Sequence, residues 1–331
     1  MFRDFGMDTI SLAGPLAAKL AAMREAGFTQ VMLAARDLVG HPAGWQAAVR
    51  EVRESGLRVT GFQVLRDFEG LPRSRAQARA STTGSGDARA GSPLHDYKVD
   101  IARSMIEMAA ALGSPVLLAC SSTSVHASAD RDIVARDLRK LAMMALPFRI
   151  KVAFEGLSWG RHINDIPGAW DVVRRADCPN LGIGIDSFHS FATRTPLAAL
   201  DEVDPEKIFL VQLSDFMWSE IHSVAERIET ARHFRVFPGE GVHSDEVARL
   251  VLALDRLGYA GDYSFEVFND DYQQLPLATV AERASASARW LAESVLRRAK
   301  PLPRRPATGG AEAGGDAPGT TGQRPAYHRG P

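Results

Sequence analysis

Four acid or amide side chains stand at the ends of four successive strand-like runs: Glu155 in KVAFEG, Asp186 in LGIGIDSFH, Gln212 in IFLVQLSD and Glu266 in DYSFEVFN. Each run is apolar up to that residue and turns loop-like soon after it. Polar groups at the C-terminal ends of neighbouring parallel strands converge on one point. Three carboxylates and an amide oxygen suit one hard or borderline divalent cation, with Mg, Mn, Co and Zn all compatible. An apolar strand gains nothing from an unpaired buried charge, which is very costly. The competing reading is that each carboxylate pairs with a core Arg or Lys.

Other residues could work on a molecule held at that point. His189 follows Asp186 by three residues, and a neutral imidazole beside a metal can take a proton from carbon. A further metal ligand and a packed polar residue are the alternatives. His162 in WGRH either donates to a ligand or caps the next helix. Arg232 and Arg235 flank His233 and Phe234 before the turn FPGEG. A guanidinium recognises a carboxylate through two parallel hydrogen bonds. One of the two arginines is expected to be spent on a loop ion pair with Glu240 or Glu229. Arg66 ends the third run, with Asp67 and Glu69 beside it as rival partners. Gly239 and Gly241 fit a tight turn better than a phosphate cradle, since no helix with a Lys-Ser/Thr follows them. Trp159, Phe188, Phe191, Trp218 and Phe237 read as pocket wall and core, and Cys120 as a small buried hydrophobe.

The scaffold follows from periodicity. Strands are expected near 8–13, 30–34, 58–65, 115–120, 151–157, 181–188, 207–214 and 262–268. Helices are expected at 15–27, 43–55, 96–112, 130–145, 165–176, 196–201, 244–257 and 279–297. Several helices run into a Gly-containing stop, such as ESGL at Gly56 and RLGY at Gly258. Eight strand–helix pairs imply an α/β fold, a (β/α)8 TIM barrel in a single domain spanning 1–298. An open doubly wound sheet is the runner-up, disfavoured because no Gly-rich phosphate loop follows the first strand. Residues 72–93 read as a mobile loop after the third strand, and 299–331 as a disordered Pro/Gly-rich tail.

Composition narrows the partners. The 331 residues carry 39 Lys+Arg and 40 Asp+Glu, for a formal net charge of −1, which argues against a nucleic-acid surface. The two cysteines form no disulfide framework, so a reducing cytoplasm is the expected location. The N-terminus reads as free of a signal peptide, and no run approaches membrane-spanning length. A small-molecule substrate is the expected partner, with homo-oligomerisation left open.

Seven stretches give the chain a family likeness: FQVLRDFEG, LLACSSTS, FEGLSWGRHIN, IDSFHS, FLVQLSD, ARHFRVFPGEG and SFEVFND. Through them it resembles the sugar-phosphate isomerase/epimerase (xylose isomerase-like) barrels and, within these, the bacterial 3-dehydroshikimate dehydratases. The resemblance implies that Glu155, Asp186, Gln212 and Glu266 bind one divalent metal and that His189 transfers a proton. It implies that Arg66 and Arg232 hold the carboxylate and enolate oxygens of 3-dehydroshikimate or a similar carboxylated cyclic ketone. The implied reaction is loss of water to give protocatechuate. A metal-dependent isomerase or epimerase of a keto-sugar or inositol derivative is the rival. The chain departs from the pattern at the end of the second strand, where Leu33-Ala34-Ala35 replaces an acid, and in 216–230.

Overall fold

A computed structural model describes residues 4–71 and 93–297. The expected loop at 72–93, apart from its last residue, and the expected tail at 299–331 lie outside the described residues. Eight parallel strands close into a barrel. They are β1 (Phe5–Asp8), β2 (Gln30–Ala34), β3 (Arg58–Arg66), β4 (Val116–Cys120), β5 (Lys151–Glu155), β6 (Leu181–Asp186), β7 (Ile208–Leu213) and β10 (Tyr263–Phe265). Around the barrel the order is β1, β10, β7, β6, β5, β4, β3, β2, so chain order and spatial order agree. The expected (β/α)8 architecture is therefore present, and the open doubly wound sheet is excluded.

The strands are short apolar runs because both of their faces are covered, by the barrel interior and by helices. The helices are α1 (Leu16–Glu25), α3 (Trp45–Ser55), α4 (Pro93–Leu112), α5 (Arg131–Ala145), α6 (Ile166–Ala176), α9 (Ser244–Leu257) and α10 (Leu277–Arg289). The short helices α2 (Ala35–Val39) and α7 (Ser187–Ala192) start at strand ends. On α5, for example, Val134, Leu138, Leu141 and Ala145 are buried, the i, i+3/i+4 spacing of one apolar stripe. Gly56 and Gly258 cap α3 and α9 in the left-handed conformation, at φ 72° and 93°.

Several boundaries differ from expectation. The first strand is Phe5–Asp8 rather than 8–13, because the Asp8 carboxylate accepts the backbone N–H of Ile10 at 2.8 Å and turns the chain into a 3-10 turn, Thr9–Ser11. The segment after β7 holds a two-stranded antiparallel sheet, β8 (Asp215–Phe216) with β9 (Arg235–Val236), and between them helix α8 (Val224–His233). Ser223 and Glu226 close α8 as a reciprocal capping box. The helix expected at 279–297 ends its regular turns at Arg289 and continues as a π-helical segment, Trp290–Val295.

One buried acid away from the four strand-end residues is expected to make stability pH-dependent. Glu69, just past β3, is pushed up to about 8 by burial, and its Oε2 has no hydrogen-bond partner among the described residues. Its Oε1 accepts the backbone N–H of Ser122 at 2.5 Å. Between the ordinary carboxyl value near 4.5 and about 8, the folded chain holds a proton that the unfolded chain has released. Stability therefore falls as pH rises through that window. Glu69→Gln is expected to remove this component. Its melting temperature should fall less than that of the wild type between about pH 5 and 8. Parallel pH profiles for the two proteins would refute this.

Candidate metal centre and active site

The barrel brings the four strand-end residues to one face. Glu155 ends β5 and Asp186 ends β6. Gln212 lies in register with Asp186 on β7, and Glu266 follows the last residue of β10. All four are buried. One face therefore carries three carboxylates, in a position where a charge removed from water costs several kcal/mol without compensation.

Part of that compensation is Arg235 on β9, which is 2% exposed. Its Nη1 donates to Asp186 Oδ2 at 2.6 Å and to Glu266 Oε2 at 3.0 Å. Its Nε donates to the Ala231 carbonyl at 3.0 Å, and its guanidinium lies 4.6 Å from the centre of the Phe188 ring. The core-Arg alternative thus holds for two of the three carboxylates. The expected loop ion pair of an FPGEG arginine with Glu240 or Glu229 is corrected: Glu240 bonds Arg283 at 2.8 Å and the hydroxyl of Tyr272 at 2.6 Å. Arg235 turns inward instead because it opens β9 beneath α8. Arg232, on the last turn of α8, is exposed.

Glu155 stays outside the arginine's direct reach. Its Oε2 accepts the Cys120 thiol at 3.0 Å, and Cys120 is its register partner on β4. Burial and the Cys120–Glu155 pairing hold the thiol well above its usual range, so the S–H stays a donor at neutral pH. Glu155 Oε1 is buried with no partner among the described residues, and so is Gln212 Nε2. Burial, Asp186 and Glu266 push Glu155 up to about 8. Burial leads the upward shift of Glu266 as well, with Arg235 opposing it. Three carboxylates against one guanidinium leave two negative charges when all ionise, which a divalent cation matches. The orphaned Glu155 oxygen and the unmatched amide of Gln212, whose N and O ends are exchanged by a flip, fit that cation. Oxygen or nitrogen atoms of Glu155, Asp186 and His189 also lie within 4.8 Å of one another.

His189 sits on α7, held between rings. Trp159 lies 4.9 Å from it edge-on and Phe188 lies 5.3 Å away. Its Nδ1 accepts the backbone N–H of Ser158 at 3.3 Å and lies 3.1 Å from the Ser158 hydroxyl. Its Nε2 is 3.6 Å from Asp186 Oδ2. Burial, then the positive charges of Arg235 and Arg66, hold its pKa well below that of ordinary imidazole, so the ring is neutral at physiological pH. Because Ser158 N–H can only donate, the neutral ring carries its proton on Nε2.

Arg66, at the end of β3, is exposed and in register with Cys120. Its charge reaches both Cys120 and His189. His162 is exposed and contacts the Ala127 carbonyl at 3.1 Å, while His233 bonds Asp270 at 2.9 Å. Among the described residues, neither hydrogen-bonds any of the four strand-end residues. At the FPGEG turn, Gly239 takes φ +94°. A Cβ on Gly241 would meet Asp215 Oδ1 at 2.2 Å, so this glycine permits a close approach. Trp218 is a surface residue, unlike Phe188 and Phe237, which are core.

Three residues of the centre escape a reading of the sequence: Asp8, Gln63 and Ser158. Gln63 Nε2 donates to Glu266 Oε1 at 2.9 Å and also contacts Asp8 Oδ2. Asp8 is fully buried; burial and Glu266 hold it well above the ordinary carboxylate range.

Comparisons with known proteins agree with this architecture. The xylose isomerase-like TIM barrel family matches residues 20–294. A 3-dehydroshikimate dehydratase of Pseudomonas putida is 33% identical over 286 residues, which are 86% of this chain and 41% of the relative. An inosose isomerase of Halalkalibacterium halodurans is 27% identical over 52% of this chain and 60% of its own length. A solved xylose isomerase-like TIM barrel/4-hydroxyphenylpyruvate dioxygenase fusion protein superposes with a TM-score of 0.76 at 30% identity, covering 89% of this chain and 43% of that one. The chain thus spans about two fifths of the length of the dehydratase it matches. With a closed parallel barrel and a family match across nearly all of it, the chain belongs to the xylose isomerase-like TIM barrel family.

Proposed function

We propose that the protein is a metal-dependent lyase that removes water from 3-dehydroshikimate to give protocatechuate. The observation that carries this reading is the buried set Glu155, Asp186, Gln212 and Glu266 at one barrel mouth, with His189 and Arg66 beside it. The likeness to 3-dehydroshikimate dehydratase supports the substrate. Glu155, Asp186, Gln212 and Glu266 would hold one divalent ion. When bound, such an ion would supply Lewis-acid polarisation of a substrate carbonyl, which would ease loss of the neighbouring C–H proton.

The chain's own residues do the rest. Arg66 offers an exposed guanidinium for the substrate carboxylate. Arg235 already serves two carboxylates through Nη1, and it would also face a developing enolate oxygen from below. Arg232, exposed on α8, takes part only from the rim. His189 moves the proton at Nε2. In the tautomer whose Nδ1–H donates to the Ser158 hydroxyl, in place of the bond from the Ser158 backbone N–H, Nε2 is free to take the proton from carbon. The imidazolium so formed then gives that proton from Nε2 to the departing hydroxyl and returns to neutral. One ring can therefore serve both transfers. The rings of Trp159 and Phe188 limit water around it.

Arg66→Ala is expected to lower kcat/KM by roughly 10- to 100-fold, the worth of a charge-assisted hydrogen bond to a carboxylate. The loss should lie mainly in KM. Unchanged kcat/KM would remove Arg66 from the substrate site.

An isomerase acting on a cyclic ketone is the second reading, favoured by the inosose isomerase likeness. It would use the same centre and return the proton to carbon. Incubation with 3-dehydroshikimate separates the two: dehydration produces a new aromatic absorbance band, and isomerisation does not.

A further inference from the structure

Asp8 is a fully buried acid that the proton transfers above do not use. One of its oxygens caps Ile10, a role that Asn or Ser fills equally well. The other oxygen points away from that turn to Gln63. Gln63 stands on β3, and its register partner on β2 is Ala34. From there its side chain reaches past β2 to Asp8 on β1 and to Glu266 beyond β10. The same Nε2 serves both carboxylates, one N–H for each. Glu266 must be ionised to ligate a cation, and an ionised carboxylate only accepts, so an amide reversed by 180° would set its carbonyl oxygen against Glu266 Oε1.

We infer that Asp8 and Gln63 are positioning residues for Glu266: Asp8 holds the Gln63 amide with its N–H groups inward, and Gln63 fixes Glu266 Oε1. Glu266 then presents Oε2 to the centre, on the side where Arg235 Nη1 now meets it at 3.0 Å. The inference rests on the proposed metal reading. Partners that orient a ligand in this way typically change metal affinity by roughly 10- to 100-fold.

Calorimetric titration of chelator-stripped full-length protein with Mg2+, Mn2+, Co2+ and Zn2+ identifies the tightest-binding ion for the wild type. That ion is then titrated into Asp8→Asn, Gln63→Leu, the double variant and Glu266→Ala. Asp8→Asn keeps an oxygen for Ile10 but turns an NH2 toward Gln63, which forces the amide to reverse. It is expected to bind the ion roughly 10- to 100-fold more weakly with its metal-free melting temperature preserved. Gln63→Leu is expected to lose a similar amount. The double variant should be no worse than Gln63→Leu, because Asp8 acts through Gln63.

Wild-type affinity in Asp8→Asn would overturn the inference, as would losses that multiply in the double variant. If Asp8→Asn does not fold, Gln63→Leu decides: wild-type affinity there overturns the proposal. A wild type that takes up none of the four ions defeats the metal reading itself, and this inference with it. Uptake by the wild type, loss in Glu266→Ala and no change in Asp8→Asn or Gln63→Leu would defeat this inference alone.

Discussion

Glu155→Ala and Glu266→Ala are each expected to purify without metal and without turnover, while the barrel stays folded. Each variant removes one carboxyl group from a set whose hydrogen-bonded cation, among the described residues, is Arg235. For the fold this is a relief, because an isolated buried carboxylate costs several kcal/mol. For a bound divalent ion it is the loss of an anionic ligand. Residues at the C-terminal face of a barrel trade stability for function in this way. The two variants should differ in one respect. Glu155 hydrogen-bonds the Cys120 thiol, whereas Glu266 hydrogen-bonds both Arg235 and Gln63. Glu266→Ala therefore leaves the charged Arg235 with one carboxylate fewer and should be the less stable of the two. Elemental analysis and thermal melts read both effects. Full metal occupancy in either variant would refute the four-ligand centre.

His189→Ala is expected to keep its metal and lose turnover by about 10²–10⁴, the usual range for removing a positioned acid or base. Most of the loss should fall on kcat, because the missing interaction is made chiefly in the transition state. A deuterium label at the abstracted C–H should give a larger kinetic effect as proton removal becomes more limiting. Loss of metal in this variant would make His189 a ligand, which its place within 4.8 Å of Glu155 and Asp186 also allows. Near-normal kcat with metal retained would move the proton transfer elsewhere. His162 and His233, tied to Ala127 and Asp270, are poorly placed to inherit it.

The strand ends were legible because each of the four polar residues interrupts an otherwise apolar run, and in a parallel barrel every such run is buried on both faces. Asp8 was hidden by the same logic. It opens the apolar stretch DTISLA and reads as the start of a strand, whereas its side chain caps the following turn and so ends one. Gln63 sits inside the run GFQVL, where spacing cannot say that an amide crosses a barrel. Arg232 and Arg235 are three residues apart, and sequence alone does not choose between them. The choice depends on where α8 stops, at His233, with Arg235 beginning the next strand. Helix α8 itself was missed because its turns are polar nearly all round. The Ser223-x-x-Glu226 capping pattern was its one local signal. Ser158 matters through its backbone N–H as much as its hydroxyl, and a backbone donor has no signature in sequence.

The central claim is a metal-dependent dehydration, and one absorbance measurement meets it directly. Chelator-stripped protein is mixed with 3-dehydroshikimate, and Mg2+, Mn2+, Co2+ or Zn2+ is then added to separate samples. No aromatic band is expected before addition, and a rising protocatechuate band is expected after at least one of the ions. A band that rises at full rate in the stripped protein, or none with any of the four ions, would contradict the account.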